Sequence, residues 1–245
     1  RRMLARVQSY LLQGIDADIL LVQELNYLQN DADDLLSFTT QVCGAECAYE
    51  RGPAAAIPNG VISRYPILDA GSWVDPNVSN RTFVWARIDV PGPKHLTAIS
   101  VHLLTSSAAN RDEEAQDLVA AIEANVAADD YLVLGGDFNT DVRSEPALTT
   151  FSTLFEVGAP YPVDQAGQDG TNQSRTKPYD WVLTSFELDG LEVPVVIGSN
   201  SFPAGLVVDT RVYSPVSDLA PALMSDSGAT AMQHMAVVRD FVFPE

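Results

Sequence analysis

The feature that most constrains the fold is the alternation of short apolar runs with segments of helical spacing along the whole chain. Helical spacing of apolar residues occurs in 1–15, 31–43, 108–128 and 144–155. Apolar or alternating runs typical of strands occur in 17–25, 60–67, 81–90, 95–104, 131–134, 179–185, 193–197, 205–213 and 236–243. The two runs that flank 91–94 are typical of an antiparallel hairpin. The pattern predicts an α+β fold, with two mixed, mainly antiparallel sheets packed face to face between helices, a four-layer α/β/β/α sandwich.

The size and the charge of the chain limit its organisation and its partners. At 245 residues, with no internal repeat and no linker-like tract, we expect one domain over 1–245 and a monomer. The formal net charge of −19 disfavours sequence-independent binding of nucleic acid, because Lys and Arg supply most of that affinity. No run of 18 apolar residues is present, so we expect no membrane span.

Two cysteines, Cys43 and Cys47, lie close together in a turn-prone stretch. Their spacing is compatible with a small disulfide loop and equally with two buried thiols. A disulfide implies an oxidising compartment. On this basis, and from the acidity of the chain, we expect a secreted or periplasmic protein.

Polar residues stand at the ends of several apolar runs, where a rigid sheet can aim side chains into a cleft. The five positions are Glu24, His102, the pair Asp137 and Asn139, Asp180, and His234. A single strand-end Asp or His is most often a structural cap or a satisfied core group. Five such positions together favour a catalytic cluster. The polar stretch 158–178 is too long for a plain connection and is expected to be a functional loop.

The stretches QEL at 23–25, SRYP at 63–66, SVHL at 100–103, GGDFNTD at 135–141, YDWVL at 179–183 and QHMAVVRDF at 233–241 occur in this order. In that order and spacing the chain resembles the endonuclease/exonuclease/phosphatase superfamily, whose fold is similar to that of deoxyribonuclease I. The resemblance implies a four-layer sandwich and metal-dependent hydrolysis of phosphate esters. It also implies Mg²⁺ as the cofactor, with Mn²⁺ as an alternative.

The resemblance assigns catalytic roles to five residues by position. Asp137 and Asn139 match the pair that contacts the attacking water and the phosphate. His102 and His234 match the histidines that face the scissile phosphate, where an imidazole can donate a hydrogen bond or transfer a proton. Asp180 matches the carboxylate that orients the second histidine.

Glu24 and Gln233 are the metal-site candidates. Glu24 matches the metal-binding glutamate of the superfamily, in keeping with the preference of Mg²⁺ for carboxylate oxygens. Gln233 stands where the superfamily has the Asp of a Ser-Asp-His ending, and a neutral amide oxygen should attract Mg²⁺ less. The sequence also begins after the position of the first strand, which normally supplies an asparagine to the metal site.

Basic and amide side chains near Asp180 are candidates for binding the substrate phosphate. Arg175 and Lys177 are two of only 14 basic residues, and Asn172 adds a neutral donor. Arg64 and Arg81 are weaker candidates of the same kind.

One departure concerns His102. No glutamate follows SRYP to pair with this histidine, and Asp75 is a poor substitute on sequence grounds.

We therefore expect a divalent-metal phosphoesterase that cleaves a phosphodiester or phosphomonoester. The acidic charge favours a small or lipid-linked phosphate ester over duplex DNA. A secreted metal-dependent endonuclease is one alternative. A noncatalytic binding module that keeps the fold is an alternative of another class.

Overall fold

The computed structural model of the protein describes residues 2–53 and 56–244. Its helices are α1 (Arg2–Ile15), α2 (Ala32–Cys43), α3 (Ala108–Asn125), α4 (Pro146–Phe151) and α5 (Phe186–Asp189). Its strands are β1 (Ile19–Val22), β2 (Ala48–Arg51), β3 (Gly60–Ser63), β4 (Ile67–Val74), β5 (Thr82–Ile88), β6 (Leu96–His102), β7 (Tyr131–Asp137), β8 (Phe155–Glu156), β9 (Asp180–Ser185), β10 (Glu192–Val193), β11 (Val195–Ile197), β12 (Asn200–Phe202), β13 (Leu206–Val208), β14 (Ala236–Val238) and β15 (Asp240–Phe241).

One large mixed sheet forms the centre of the molecule, with strand order β4-β5-β6-β7-β9-β8. The pair β6 and β7 is parallel and the other neighbours are antiparallel. The hairpin predicted around 91–94 is confirmed, because β5 and β6 are antiparallel neighbours with Val84 opposite Ser100. Every residue of β6 is buried, as expected for a strand covered on both faces.

The second layer is divided into short pieces. It contains the three-stranded sheet β1-β3-β2 and the two-stranded ladders β13-β14, β11-β12 and β10-β15. Pro194, which has no N–H to donate, separates β10 from β11, and Gly198 (φ 59°) supplies the turn between β11 and β12. The predicted α+β sandwich is confirmed, with several small sheets where a second continuous sheet was expected.

Apolar residues fill the three interfaces between neighbouring layers. Helices α3 and α4 cover the outer face of the large sheet through residues such as Leu118 and Phe151. The inner face of that sheet contributes Ala86 and Val133 to the core between the sheets. Helix α2 packs on the small sheet β1-β3-β2, with Phe38 buried there. Together these contacts place the inner face of the large sheet opposite β1.

Local signals explain the helix starts, and tertiary pairing explains two errors of the sequence prediction. Ser107 caps α3 by accepting a hydrogen bond from the Asn110 N–H. The helix predicted over 144–155 is shorter, because Phe155 pairs with Ser185 in the sheet. The strand predicted over 205–213 ends at Val208, the last residue that pairs with β14, and the chain then turns at Asp209.

The two cysteines form a disulfide, with 6.0 Å between the Cα atoms of Cys43 and Cys47. Of the two arrangements that the sequence left open, the structure has the bridged one. Arg64, a weaker phosphate-binding candidate, binds Asp16 and Asp18 near this end of α2. Within the described ranges, none of the helices combines the length and apolarity that a bilayer crossing requires.

Candidate active site

Three of the predicted residues form a row across the large sheet. In the strand register, His102 of β6 lies opposite Asp137 of β7, and Asp137 lies opposite Asp180 of β9. The distance from His102 Nε2 to Asp137 Oδ2 is 3.3 Å. Because side chains alternate along a strand, and Ser100 bonds to β1, Ser100 and His102 both face the second layer. Strand register therefore brings His102, Asp137 and Asp180 together at one edge of the core between the two layers.

His234 reaches the same row from the segment that precedes β14. Its Nδ1 atom lies 3.1 Å from both carboxylate oxygens of Asp180, and its Nε2 atom lies 3.6 Å from Asp137 Oδ2. Asp180 thus accepts a hydrogen bond from His234, which leaves Nε2 directed towards Asp137. This is the pairing that the resemblance implied for Asp180.

Asn139 completes the group around Asp137. Its side-chain amide donates to the Leu103 carbonyl at 2.9 Å and to Asp137 Oδ2 at 3.2 Å, and its N–H donates to Asp137 Oδ1 at 2.9 Å. Asn139 has a positive φ of 52°, a backbone conformation that asparagine tolerates better than most residues. The turn therefore fixes both oxygens of Asp137.

Burial and neighbouring charges separate the protonation states of the site residues. Burial, and then the charge of Asp180, raise the pKa of Asp137 to about 7. Burial alone lowers the pKa of His234, but the hydrogen bond and the charge of Asp180 outweigh it and raise that pKa to about 9. Near neutral pH, His234 is therefore an imidazolium beside a carboxyl group that can exchange its proton.

His102 has the opposite character. Burial, and then the positive charge of Arg81, lower the pKa of His102 to about 3, so its imidazole is neutral at pH 7. Its Nδ1 atom is buried and makes no hydrogen bond within the described part of the chain. An arginine therefore influences His102, for which the sequence offered no carboxylate partner. Of the two weaker arginine candidates, Arg81 lies in the site region and Arg64 does not.

Behind Arg81 lies a buried pair of carboxyl groups, Asp75 and Glu114, that the sequence did not associate with each other. Burial raises the pKa of Glu114 to about 8, and the neighbouring carboxyl group of Asp75 adds to this effect. Glu114 also accepts the Leu104 N–H at 2.7 Å, just after the strand that carries His102. A protonated Glu114 therefore supports the segment that follows His102.

The residues present fit a divalent cation. Ligand atoms of Asp137, Asp180 and His234 lie within 4.8 Å of one another, and His234 could be a ligand only in its neutral form. After burial, the charge of Asp180 is the second cause that raises the pKa of Asp137, and a nearby cation would offset both effects. Glu24 is exposed at the end of β1 and near enough for its charge to raise the pKa of His234.

Gln233, the other metal candidate, is exposed, and its main-chain carbonyl accepts the Gln173 N–H at 2.8 Å. This contact does not place its side chain in the cluster of Asp137, Asp180 and His234. Metal binding by Glu24 and by Gln233 stays a prediction.

Gln23 is a residue of this region that the sequence reasoning missed. Its side-chain amide donates to Ser100 Oγ at 3.0 Å, and Ser100 in turn donates to the Val22 carbonyl at 3.1 Å. A Cβ at Gly136 would lie 2.7 Å from Gln23 Nε2, so the glycine allows β1 to approach the large sheet. These contacts set the position of Glu24 relative to His102. The Gly-Gly pair before Asp137 was the available sequence signal.

The three predicted substrate-binding residues are all engaged in contacts within the protein. Asn172 accepts hydrogen bonds from the N–H groups of Thr176 and Lys177. The Lys177 ammonium binds Asp141, with 42% of the lysine side chain exposed. Arg175 is mostly buried in ion pairs with two aspartates. Of the three, Lys177 alone combines a positive charge with substantial exposure.

Comparisons with known proteins agree with this geometry. The model of the Endonuclease/Exonuclease/phosphatase family matches residues 2–228. No curated protein sequence matches the chain.

Several solved structures are similar in fold. An endonuclease/exonuclease/phosphatase family protein from Leptotrichia buccalis superimposes with a TM-score of 0.63 at 15% identity, covering 98% of this chain and 94% of its own. A conserved protein of unknown function from Enterococcus faecalis has a TM-score of 0.60 at 14% identity, covering 75% and 79%. A mutant of beta toxin from Staphylococcus aureus with bound magnesium ions has a TM-score of 0.51 at 15% identity, covering 74% and 77%.

Proposed function

Because the chain belongs to the Endonuclease/Exonuclease/phosphatase family, whose members are metal-dependent hydrolases of phosphate esters, we propose that it hydrolyses a phosphodiester or phosphomonoester at this site. The observation that carries the proposal is the row of His102, Asp137 and Asp180 in register across three strands, with His234 hydrogen-bonded to Asp180.

Asp137 is the residue best placed to orient and deprotonate the attacking water. Its pKa of about 7 lies near the working pH, which is the condition for efficient proton transfer. Asn139 donates to both of its oxygens and so holds the carboxylate in one orientation. Removal of Asn139 should therefore affect the reaction through Asp137.

The two histidines have different roles because their protonation states differ. His234 is an imidazolium, which can stabilise negative charge on the phosphate oxygens or protonate the leaving oxygen. His102 is neutral and can donate one hydrogen bond from Nε2 without adding charge. The charged Arg81 lies within electrostatic reach of both Asp137 and His102.

Glu24, with Gln233 as the second predicted ligand, would hold the metal ion beside Asp137, because His234 as an imidazolium has no lone pair to offer a cation. Bound there, Mg²⁺ supplies positive charge that offsets the charge developing on the phosphate in the transition state. Mn²⁺ suits the same oxygen ligands.

We further propose a small or lipid-linked phosphate ester as the substrate class. The net charge of −19 supports this choice, because a polyanionic duplex would be repelled by most of the surface. The Lys177 ammonium remains the proposed contact to a substrate phosphate. Secretion to an oxidising compartment is proposed from the Cys43–Cys47 disulfide.

The test is hydrolysis of bis-p-nitrophenyl phosphate, p-nitrophenyl phosphate, sphingomyelin and plasmid DNA by the purified protein with Mg²⁺ or Mn²⁺. The matched control is the Asp137→Ala/His234→Ala double variant. We expect metal-dependent turnover of a small or lipid-linked ester that the double variant lacks. Faster cleavage of plasmid DNA would identify a metal-dependent nuclease instead. No turnover by a folded protein on any of the four would favour a binding module.

A further inference from the structure

Arg175 lies at the centre of a buried ionic cluster below the His234 segment. Its guanidinium donates to Asp164 Oδ2 at 2.8 Å and to Asp209 Oδ2 at 3.4 Å. Asp164 and Asp209 are each 3% exposed, and the Arg175 side chain is 11% exposed. Arg211 closes the cluster with two hydrogen bonds of 2.7 Å to Asp209. The arginine that the sequence suggested for substrate binding is therefore neutralised inside the protein.

The cluster joins two segments that are far apart in sequence. Asp164 and Arg175 belong to the loop 158–178, and Asp164 also organises that loop by accepting the N–H groups of Ala166 and Gln168. Asp209 begins the segment that leads from β13 to His234. The ion pairs of Arg175 thus fix the loop against the start of the segment that carries the catalytic histidine.

The same loop contacts the His234 segment directly. Asn172 and His234 form an antiparallel bridge. The Met235 N–H donates to the Thr171 carbonyl at 2.7 Å, and the Thr171 hydroxyl accepts the Asp180 N–H at 2.7 Å. Both partners of the His234–Asp180 hydrogen bond are therefore held by residues of one loop. Any shift of 171–172 would move them relative to Asp137.

We propose that Arg175 is a positioning residue, which holds the loop 158–178 so that His234 and Asp180 stay aligned with Asp137. Arg175 acts through Thr171 and Asn172 and does not touch the substrate. The effect of this role on turnover rests on the proposed phosphoesterase function, whereas its effect on the place of His234 does not. Because the two Nη atoms of the guanidinium each contact a different carboxylate, lysine is a poor replacement.

The test compares Arg175→Met and Arg175→Lys with the wild-type protein by two measurements. The first is the ¹H–¹³C spectrum of the imidazole groups, in which the three histidines of the chain give three Cε1–H cross-peaks. The second is kcat and KM for bis-p-nitrophenyl phosphate. The control is Arg87→Met, which removes another ion pair, the bidentate one between Arg87 on β5 and the buried Asp130.

We expect the His234 cross-peak to shift in both Arg175 variants and to stay in place in Arg87→Met. We expect kcat to fall by roughly tenfold to a hundredfold, the range that small misplacements of catalytic groups produce, with KM changed less than twofold. A fixed His234 cross-peak would overturn the proposal, whether or not the protein is active. So would a tenfold rise in KM at unchanged kcat, which is the signature of a lost substrate contact. If Arg175→Met does not fold, Arg175→Lys decides by the same criteria.

Discussion

Replacement of Asp180 by asparagine separates the electrostatic role of this carboxylate from its place in the fold. Asparagine has nearly the same shape and can still accept a hydrogen bond from His234 Nδ1, but it removes the negative charge 3.1 Å from that nitrogen. The charge of Asp180 favours the imidazolium form of His234 and raises the pKa of Asp137. The Asp180→Asn variant should therefore have a less basic His234 and a more acidic Asp137.

The size of the effect follows from the lost charge-assisted hydrogen bond. Hydrogen bonds to charged groups contribute about 1.5–3 kcal/mol. At 1.36 kcal/mol for each factor of ten in rate, kcat/KM should fall by roughly tenfold to somewhat more than a hundredfold. Thermal stability should not fall in parallel, because burial raises the pKa of Asp180 and so opposes its ionised form.

The assay is hydrolysis of bis-p-nitrophenyl phosphate at saturating Mg²⁺ and pH 7, together with a thermal melt of each protein. Asp117→Asn, which changes an exposed carboxylate of α3, is the matched control and should retain wild-type kcat/KM. A value of kcat/KM for Asp180→Asn within twofold of wild type would refute the assigned role. A large loss of both activity and melting temperature would show that Asp180 is mainly structural.

Three further predictions concern stability. The pKa of Glu114 is raised from 4.5 to about 8, so its stabilising contribution is full below pH 4.5 and is lost as the pH rises to about 8. In thermal melts, the stability of Glu114→Gln should match that of wild type at pH 5 and be greater than that of wild type by about 1–3 kcal/mol at pH 9. Equal melts of the two proteins at both pH values would contradict this. Gly136→Ala places a Cβ 2.0 Å from the Val101 carbonyl oxygen at a φ of 142°, and urea unfolding should show a loss on the order of 2–4 kcal/mol. An unchanged urea midpoint would count against this close contact between β6 and β7. Reduction of the small Cys43–Cys47 loop should cost about 2 kcal/mol by the loop-entropy relation and lower the melting temperature by roughly 4–8 °C, whereas a melt insensitive to dithiothreitol would mean that the bridge is absent in solution.

Much of the fold could be predicted because burial on both faces of a strand is visible in the sequence. The fully buried and mostly apolar strand β6 and its hairpin to β5 are of this kind. The length of α4 and the division of the second layer could not be predicted in this way. Both depend on strand pairing between residues that are distant in sequence, such as Phe155 and Ser185. The local propensities of these residues are also compatible with other secondary structure.

The same distinction applies to the site. His102 and Asp137 could be located because each ends an apolar strand, and Asp180 because it begins one; strand register then brings the three together. The ion pairing of Arg175 could not be deduced, because its partner Asp209 lies 34 residues away. A sequence does not show which cationic side chains are already paired with carboxylates. Gln23 was missed for the same reason, since its contact with Ser100 spans 77 residues.

The central claim is that Asp137, Asp180 and His234 form a metal-dependent phosphoesterase site. It is tested most directly by the initial rate of bis-p-nitrophenyl phosphate hydrolysis in wild type and Asp137→Asn, measured without metal, with Mg²⁺ and after addition of EDTA. The account predicts that wild type turns over only with the metal, that EDTA abolishes the rate and that excess Mg²⁺ restores it. It predicts a loss of at least a hundredfold, typical of general acid–base groups, for Asp137→Asn. Turnover that survives EDTA, or an Asp137→Asn variant as active as wild type, would contradict the account.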